Sequence, residues 1–224
     1  MTSQLHKKDS HIKGQDRYLP DDLLQNTYLM HISTSPYYPL LAGLEMKAHI
    51  HHAKGNKLWN NAFRLATTYK KKCLQTLHIL RPFLPPTVRG KPWESCDTET
   101  IMNDPTFFAI DTAETWHGFS RILPQGYVTD PCKILLTTGS MKQEGPSIPA
   151  PLIAACLEKF GITPEKSDFY SLLFLVEPGD TPKKWDILLR LLQTIEEAYD
   201  KNLSLDTLDL FPNIPHRPGE GLKD

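Results

Sequence analysis

The sequence predicts an α/β fold: a small domain with a roughly three-stranded sheet covered by helices, preceded by a stretch without a core of its own. Three observations carry this. Short apolar runs bounded by turn residues, "CKILLTT" (132–138) and "YSLLFLV" (170–176), have the length and composition of strands. Helical periodicities precede, separate and follow them. The first ~35 residues are polar and broken, with no apolar period that could build a core.

The elements follow in chain order. Residues 1–27 read as loop, with Gly14 and Pro20 as breaks and a short strand near Leu5. "NTYLMHIS" (26–33) has strand-like composition, and the chain turns at Ser33–Pro36. Leu40, Leu41, Leu44, Ala48 and His52 lie at roughly helical spacing, with a break expected at "KGN". Leu58, Ala62, Leu65, Tyr69, Cys73 and Leu77 form one stripe of a second helix, which Pro82 ends. "TFFAID" (106–111) is a further strand candidate. "IPAPLIAACLEKFG" reads as a helix, with Ser147 as a cap, prolines at its start and Gly161 as its left-handed stop. Tyr170–Val176, a continuous apolar run, is expected to be buried on both faces. Thr181 caps the last helix and Pro182 starts it. Its buried stripe is Trp185, Leu188, Leu189, Leu192, Ile195 and Tyr199, with Glu196 and Glu197 outside it.

Composition narrows the function classes. A formal net charge of −1 gives no reason to expect nucleic acid or an anionic membrane as partner. No apolar run approaches the ~18 residues of a spanning helix. The N-terminus "MTSQLHKKDSH" has no apolar core and does not read as a signal peptide. These features point to a cytoplasmic protein. Four widely spaced cysteines without a C-x-x-C pair fit free thiols in a reducing compartment. The 19 prolines cluster in "RPFLPPT", "EGPSIPAP" and "LFPNIPHRP", marking connections.

Several constellations carry chemistry as well as a bland reading. His49 and His52 of "HIHH" could share a helix face as metal ligands. No acidic or cysteine ligand stands near them in sequence, so a surface face is the simpler reading and no metal is expected. "TWHGFS" (115–120) suits the edge of a core or the lining of a pocket. Lys7 and Lys8 suit a solvated loop, because a catalytic lysine is ordinarily desolvated. Ser33, Thr34 and Ser35 at a bend suit either a hydroxyl-rich turn or an anion nest able to take a phosphate. Glu165, before a strand, is either a surface carboxylate or the partner of a substrate ammonium.

Seven segments together resemble one family: "SQLHKKDSHIKGQDRY", "HISTSPYYPL", "RPFLPPTVRGKPW", "TWHGF", "DPCKILLTT", "IPAPLIA" and "GITPEKSDFYSLLFLVEP". The family is the bacterial biodegradative ornithine/lysine/arginine decarboxylases, pyridoxal-phosphate enzymes of the aspartate-aminotransferase fold. "HKKDSHIKGQ" and "RPFLPP" look most like the ornithine decarboxylase branch. The resemblance runs to about residue 206. "LLTTGSM" departs from the family's Thr-Pro-Gly turn, so the loop around Gly139–Gly145 is expected to differ.

The resemblance implies three segments. Residues 1–50 are the end of the large cofactor-binding domain with an interface segment, 51–206 the small α/β domain, and 207–224 a truncated tail. It implies that Ser33 and Thr34 reach across a dimer interface to the cofactor phosphate of the neighbouring subunit. Glu165 would hold the distal ammonium of ornithine, and Tyr37 with Trp116–Phe119 would line the entrance. The family's Schiff-base lysine lies upstream of the stretch matching "SQLHKK", so no catalytic residue is expected in this chain. The chemistry implied is decarboxylation of ornithine to putrescine and CO2, with the cofactor's pyridine as electron sink. The chain alone is expected to be inactive. Its partners would be a basic amino acid and either a second copy, in a homodimer or higher oligomer, or a separate N-terminal half. A complementing subunit of a split enzyme and a non-catalytic binding module are the alternatives.

Overall fold

The structure, a computed structural model, describes residues 21–32, 35, 37–111, 113–119, 127–139 and 145–203. The expected strand near Leu5 lies outside them. Internal contacts divide the chain into two units, Met1–Ala53 and Lys54–Asp224.

In the first unit, α1 spans Asp21–His31 and α2 begins at Tyr38. The strand-like "NTYLMHIS" is thus largely helical. Among the described residues of this unit there is no strand to pair with it, and a helix satisfies its own backbone groups. The His31 ring bonds the Thr27 carbonyl one turn back, at 2.8 Å.

Helix α2 continues to Thr76, 39 residues in all, straight through the expected break. Gly55 within "KGN" is buried, and an interior glycine costs a helix only ~1 kcal/mol relative to alanine. The helix stops six residues before Pro82. Its end is set by the Arg81 guanidinium, which donates to the carbonyls of Leu74 (3.4 Å) and Leu77 (3.1 Å). Pro82 instead lies in strand β1 (Arg81–Pro82).

Strands β2 (Thr87–Val88) and β3 (Lys91–Pro92) form a small hairpin, and Arg89 and Gly90 at its tip both have positive φ. Helix α3 (Thr98–Asn103) is capped by Asp97, whose side chain accepts from the Thr100 N–H. "TFFAID" is not one strand. Asp104 accepts from the Thr106 N–H and opens a 3-10 turn over Pro105–Phe107. Only Ala109–Ile110 (β4) is extended, and it pairs with β5 (Tyr127–Val128) in a separate two-stranded ribbon.

The main sheet is antiparallel with four strands, in the order β1, β6 (Lys133–Thr137), β8 (Ser171–Leu175), β7 (Lys166–Ser167). The two apolar runs are its centre, in the register Lys133–Leu175 to Thr137–Ser171. The β7–β8 turn is held by Asp168, which accepts from the N–H groups of Tyr170 and Ser171. Those bonds, the Tyr170 N–H foremost, keep its carboxyl below the usual range. Strand β8 is not buried on both faces: Leu172 and Phe174 are buried, whereas Ser171, Leu173 and Leu175 are half-buried.

Helices α4 (Ala150–Lys159) and α5 (Pro182–Asp200) cover the buried face. Pro149, not Ser147, holds the N-cap position of α4, and Gly161 follows its end with φ 71. Thr181 is at the N-cap of α5 but makes no side-chain cap bond. One core joins Ala66, Tyr69 and Cys73 of α2, the inner strand residues, Ile153 and Leu157 of α4, and the Trp185–Ile195 stripe of α5. A second, smaller core gathers Leu84, Val88, Ile101, Phe107 and Phe108 around Trp93, whose Nε1 donates to the Phe107 carbonyl at 3.0 Å.

Glu196 is the main departure in α5. The sequence places it outside the stripe, yet it is 2% exposed. It accepts the N–H groups of His78 (3.0 Å), Ile79 (2.9 Å) and Leu80 (2.6 Å), the donors left open where α2 has ended. The His78 ring closes the joint, with Nδ1 2.9 Å from Glu196 and Nε2 3.0 Å from Asp200.

Candidate functional site

His49 and His52 are exposed positions of α2, and among the described residues no group of three His, Cys, Asp or Glu side chains is placed to hold a metal ion. No described helix is long and apolar enough to cross a membrane. Ser33 and Thr34 lie outside the described residues. Tyr37, in the first unit, is 68% exposed, and its carbonyl accepts the Leu40 N–H in the opening turn of α2.

Glu165 follows the α4 stop and the buried Pro164. Its N–H donates to the Leu173 carbonyl at 2.8 Å, which extends the β7–β8 pairing by one residue and fixes its backbone. It lines an open cavity of about 350 Å3 with Thr163, Phe174, Glu177, Lys184 and Trp185. Lys184 is already engaged by Asp180 at 2.8 Å. Burial pushes the Asp180 carboxyl up, but bonds from Lys184, the Glu177 N–H and the Trp185 indole outweigh it and hold the group below the usual range. The cavity's acidic side chains are therefore Glu165 and Glu177, beside an aromatic wall, a setting that suits an organic cation.

"TWHGF" is both core and cavity. His117 is fully buried. Its Nε2 donates to the Asp111 carbonyl (2.8 Å) and its Nδ1 accepts the Phe119 N–H (3.0 Å), which fits a neutral ring used as a turn brace. Trp116 and Phe119 pack on Phe83, with ring centroids 4.9 and 6.2 Å away. Phe83 and Trp116 line a second cavity, of about 670 Å3, with Arg81, Pro86, Glu94 and Thr137. Glu165 and Trp116 thus belong to different cavities, and the structure does not bring them together.

Sequence reasoning missed Lys70. It is 2% exposed, donates to the Pro131 carbonyl at 2.7 Å, and its Nζ sits 5.3 Å from the centre of the Phe108 ring. Burial lowers its pKa to about 8, with Cys132 and Asp130 pulling the other way. A signal existed, since Ala66, Lys70 and Cys73 share one helix face, but the run Lys70–Lys72 reads as solvated. The four cysteines are free, and burial pushes the Cys73 and Cys156 thiols up to about 12.

Comparison with known proteins gives a consistent picture. The family model described as "Orn/Lys/Arg decarboxylase, major domain" matches residues 1–184. The constitutive ornithine decarboxylase of Escherichia coli is 37% identical over 219 residues, covering 95% of this chain and 30% of that protein. The ornithine decarboxylase of Haemophilus influenzae is 39% identical, covering 92% and 29%. The inducible lysine decarboxylase of Escherichia coli is 30% identical, covering 88% and 27%. Among solved structures, Escherichia coli constitutive lysine decarboxylase aligns with TM-score 0.66 at 27% identity, over 88% of this chain and 27% of that one. The Francisella novicida lysine decarboxylase LdcF aligns with TM-score 0.68 at 25% identity, over 85% and 26%. The chain spans about three-tenths of the length of the curated relatives it matches.

Proposed function

The chain belongs to the Orn/Lys/Arg decarboxylase family, and from this we propose that it is part of a pyridoxal-phosphate-dependent decarboxylase of a basic amino acid, with ornithine the preferred substrate and putrescine and CO2 the products. The observation that carries the choice of ornithine is the gap between 37–39% identity to ornithine decarboxylases and 30% to the Escherichia coli lysine enzyme. The cavity at Glu165 supports the reading, because an aromatic wall with two carboxylates suits the distal ammonium of such a substrate.

The described residues do not by themselves make a cofactor cradle. The buried Lys70 spends its ammonium on the Pro131 carbonyl, and Ser33 and Thr34 are the only residues of this chain that the resemblance assigns to the cofactor. On this reading residues 1–224 alone do not turn over ornithine, and further protein completes the cofactor site. The large apolar side chains of residues 21–50 support the same view. Leu29, Met30, Leu40, Leu41 and Leu44 are all more than half exposed, a concentration that ordinarily marks an interface with a second copy or another segment.

The test is CO2 release from ornithine and from lysine, with the purified chain plus cofactor and with the chain co-expressed with the lysine-bearing part of its family. The chain alone gives none. The assembled protein prefers ornithine, and Glu165→Gln raises KM for ornithine more than ten-fold, the scale of one lost charge-assisted contact of about 1.5–3 kcal/mol. Robust turnover by the chain alone, or an unchanged KM, overturns the respective part of the reading.

A further inference from the structure

The cavity of about 350 Å3 at Glu165 has a cation of its own. Lys184 lines it together with Glu165 and Glu177, and all three residues are exposed. A lysine carries three donors on a flexible four-carbon stem. Left to itself, its ammonium would pair with one of these glutamates and take the place of an incoming cation. The structure holds it elsewhere: Lys184 Nζ donates to Asp180 Oδ1 at 2.8 Å. Asp180 stands behind the cavity wall, with its side chain 10% exposed. Its other oxygen, Oδ2, accepts the Glu177 N–H at 3.1 Å and the Trp185 indole N–H at 3.3 Å. The three partners of this carboxylate, Glu177, Lys184 and Trp185, all line the cavity.

We propose that Asp180 is a positioning residue of this cavity: it holds the Lys184 ammonium away from Glu165 and Glu177 and so leaves both carboxylates open to an organic cation. The consequence for substrate rests on the reading of Glu165 as partner of the distal ammonium; the sequestering of Lys184 does not. The grip of Asp180 comes from its fixed place. Its own N–H donates to the Glu177 carbonyl at 3.1 Å, so backbone and side chain together close the turn from Glu177 to Asp180. Gly179 within that turn has φ 106, a conformation that favours glycine. Trp185 is buried, which fixes the indole that Asp180 accepts from. Lys184, by contrast, is an exposed chain end, and the carboxylate decides where it points. Asp180 precedes α5, yet its oxygens take no N–H of the first helical turn. Its bonds serve the wall of the cavity and not the start of the helix.

The test is Asp180→Asn, which keeps the shape and one acceptor oxygen but removes the charge that holds Lys184. The first readout is zero-length carbodiimide crosslinking of the full chain, which joins an ammonium to a carboxylate in contact with it, mapped by mass spectrometry. The wild type should join Lys184 to Asp180, and the variant should join Lys184 to Glu165 or Glu177. Absence of both new products in the variant, or their presence at equal yield in the wild type, overturns the proposal. The second readout is KM for ornithine in the assembled protein. Asp180→Asn should raise it about three- to five-fold, the scale of one partly exposed ion pair, with kcat unchanged. Adding Lys184→Met should return KM to within about two-fold of the wild type, a coupling that a merely loosened wall does not produce. An unchanged KM, or no recovery in the double variant, overturns the proposal. Glu165→Gln separates the two readings. A KM that responds to Glu165→Gln but not to Asp180→Asn refutes the role of Asp180 alone. Crosslinks that move as expected, with a KM indifferent to Glu165→Gln, refute the substrate role of Glu165 and support the sequestering of Lys184.

Discussion

Replacing Lys70 by methionine should remove a pH dependence of stability that no other described group supplies. Lys70 is buried, and its pKa falls from the ordinary 10.5 to about 8. Below pH 8 it is charged in both folded and unfolded chains, and folding bears the full cost of burying the charge. Between pH 8 and 10.5 the unfolded chain still holds the proton and the folded chain has released it, so stability rises with pH. At 1.36 kcal/mol per pKa unit, the gain over that window is about 3 kcal/mol. Cys73 and Cys156 act in the opposite direction. Their thiols are raised from 9.0 to about 12, so above pH 9 the unfolded chain loses protons that the folded chain keeps. Both cysteines remain in Lys70→Met, and their effect cancels in the difference between the two proteins. At pH 7 methionine removes the buried charge but leaves the Pro131 carbonyl without its donor, a loss of about 1–3 kcal/mol that roughly offsets the gain. The assay is urea unfolding followed by tryptophan fluorescence, since Trp93 and Trp185 lie in the two cores of the second unit. From pH 7.5 to 10.5 the wild-type midpoint should rise relative to the variant by about 1 M, taking m as about 2–3 kcal/mol/M. Parallel pH profiles for the two proteins would refute the reasoning.

Glu196→Ala should cost about 3–5 kcal/mol, because it leaves the buried N–H groups of Ile79 and Leu80, the partly buried N–H of His78 and the His78 ring without their acceptor. Glu196→Gln should cost less, as one oxygen still accepts. Urea unfolding measures both, and a loss below 1 kcal/mol for alanine sinks the assignment of Glu196 as the anchor of that joint. Gly139→Ala should destabilise the bend after β6, since the new methyl would lie 2.8 Å from Ser147 Cα, a backbone atom. Faster amide exchange at Thr138 and Ile148, each bonded across this bend or its flank, is the readout.

Where local rules and packing agreed, the fold was legible. The apolar runs at 132–138 and 170–176 became the paired centre of the sheet, and the helix read at "IPAPLIAACLEKFG" and the striped helix after Thr181 became its cover. The misreadings have separate causes, one of them a cap two residues away and another the small cost of a single glycine. "TFFAID" has strand composition, but Asp104 bends it into a 3-10 turn and Trp93 reaches over from the preceding hairpin to hold the Phe107 carbonyl. Gly55 did not break α2, because one glycine in a helix of 39 residues subtracts little.

The polar residues at the heart of the structure were the hardest to foresee, for a physical reason. A buried charge is tolerable only when its partners are in place, and those partners are set by tertiary structure. Glu196 sits one position from Ile195 and reads as the solvent side of α5, yet α2 ends against it and offers three N–H groups 116–118 residues away. Lys70 reads as one of three solvated lysines until Pro131 and Phe108 close over it. Glu165 differs from both: it stayed at the surface beside a strand, as its polar flanks suggest, and only the cavity formed with Phe174 and Trp185 gives it a ligand-facing setting. The substrate contact proposed for Glu165 needs an accessible carboxylate, and Glu165 is exposed. This separates Glu165 from Glu196 and makes the response of KM to Glu165→Gln, with stability unchanged, the sharper test of the site.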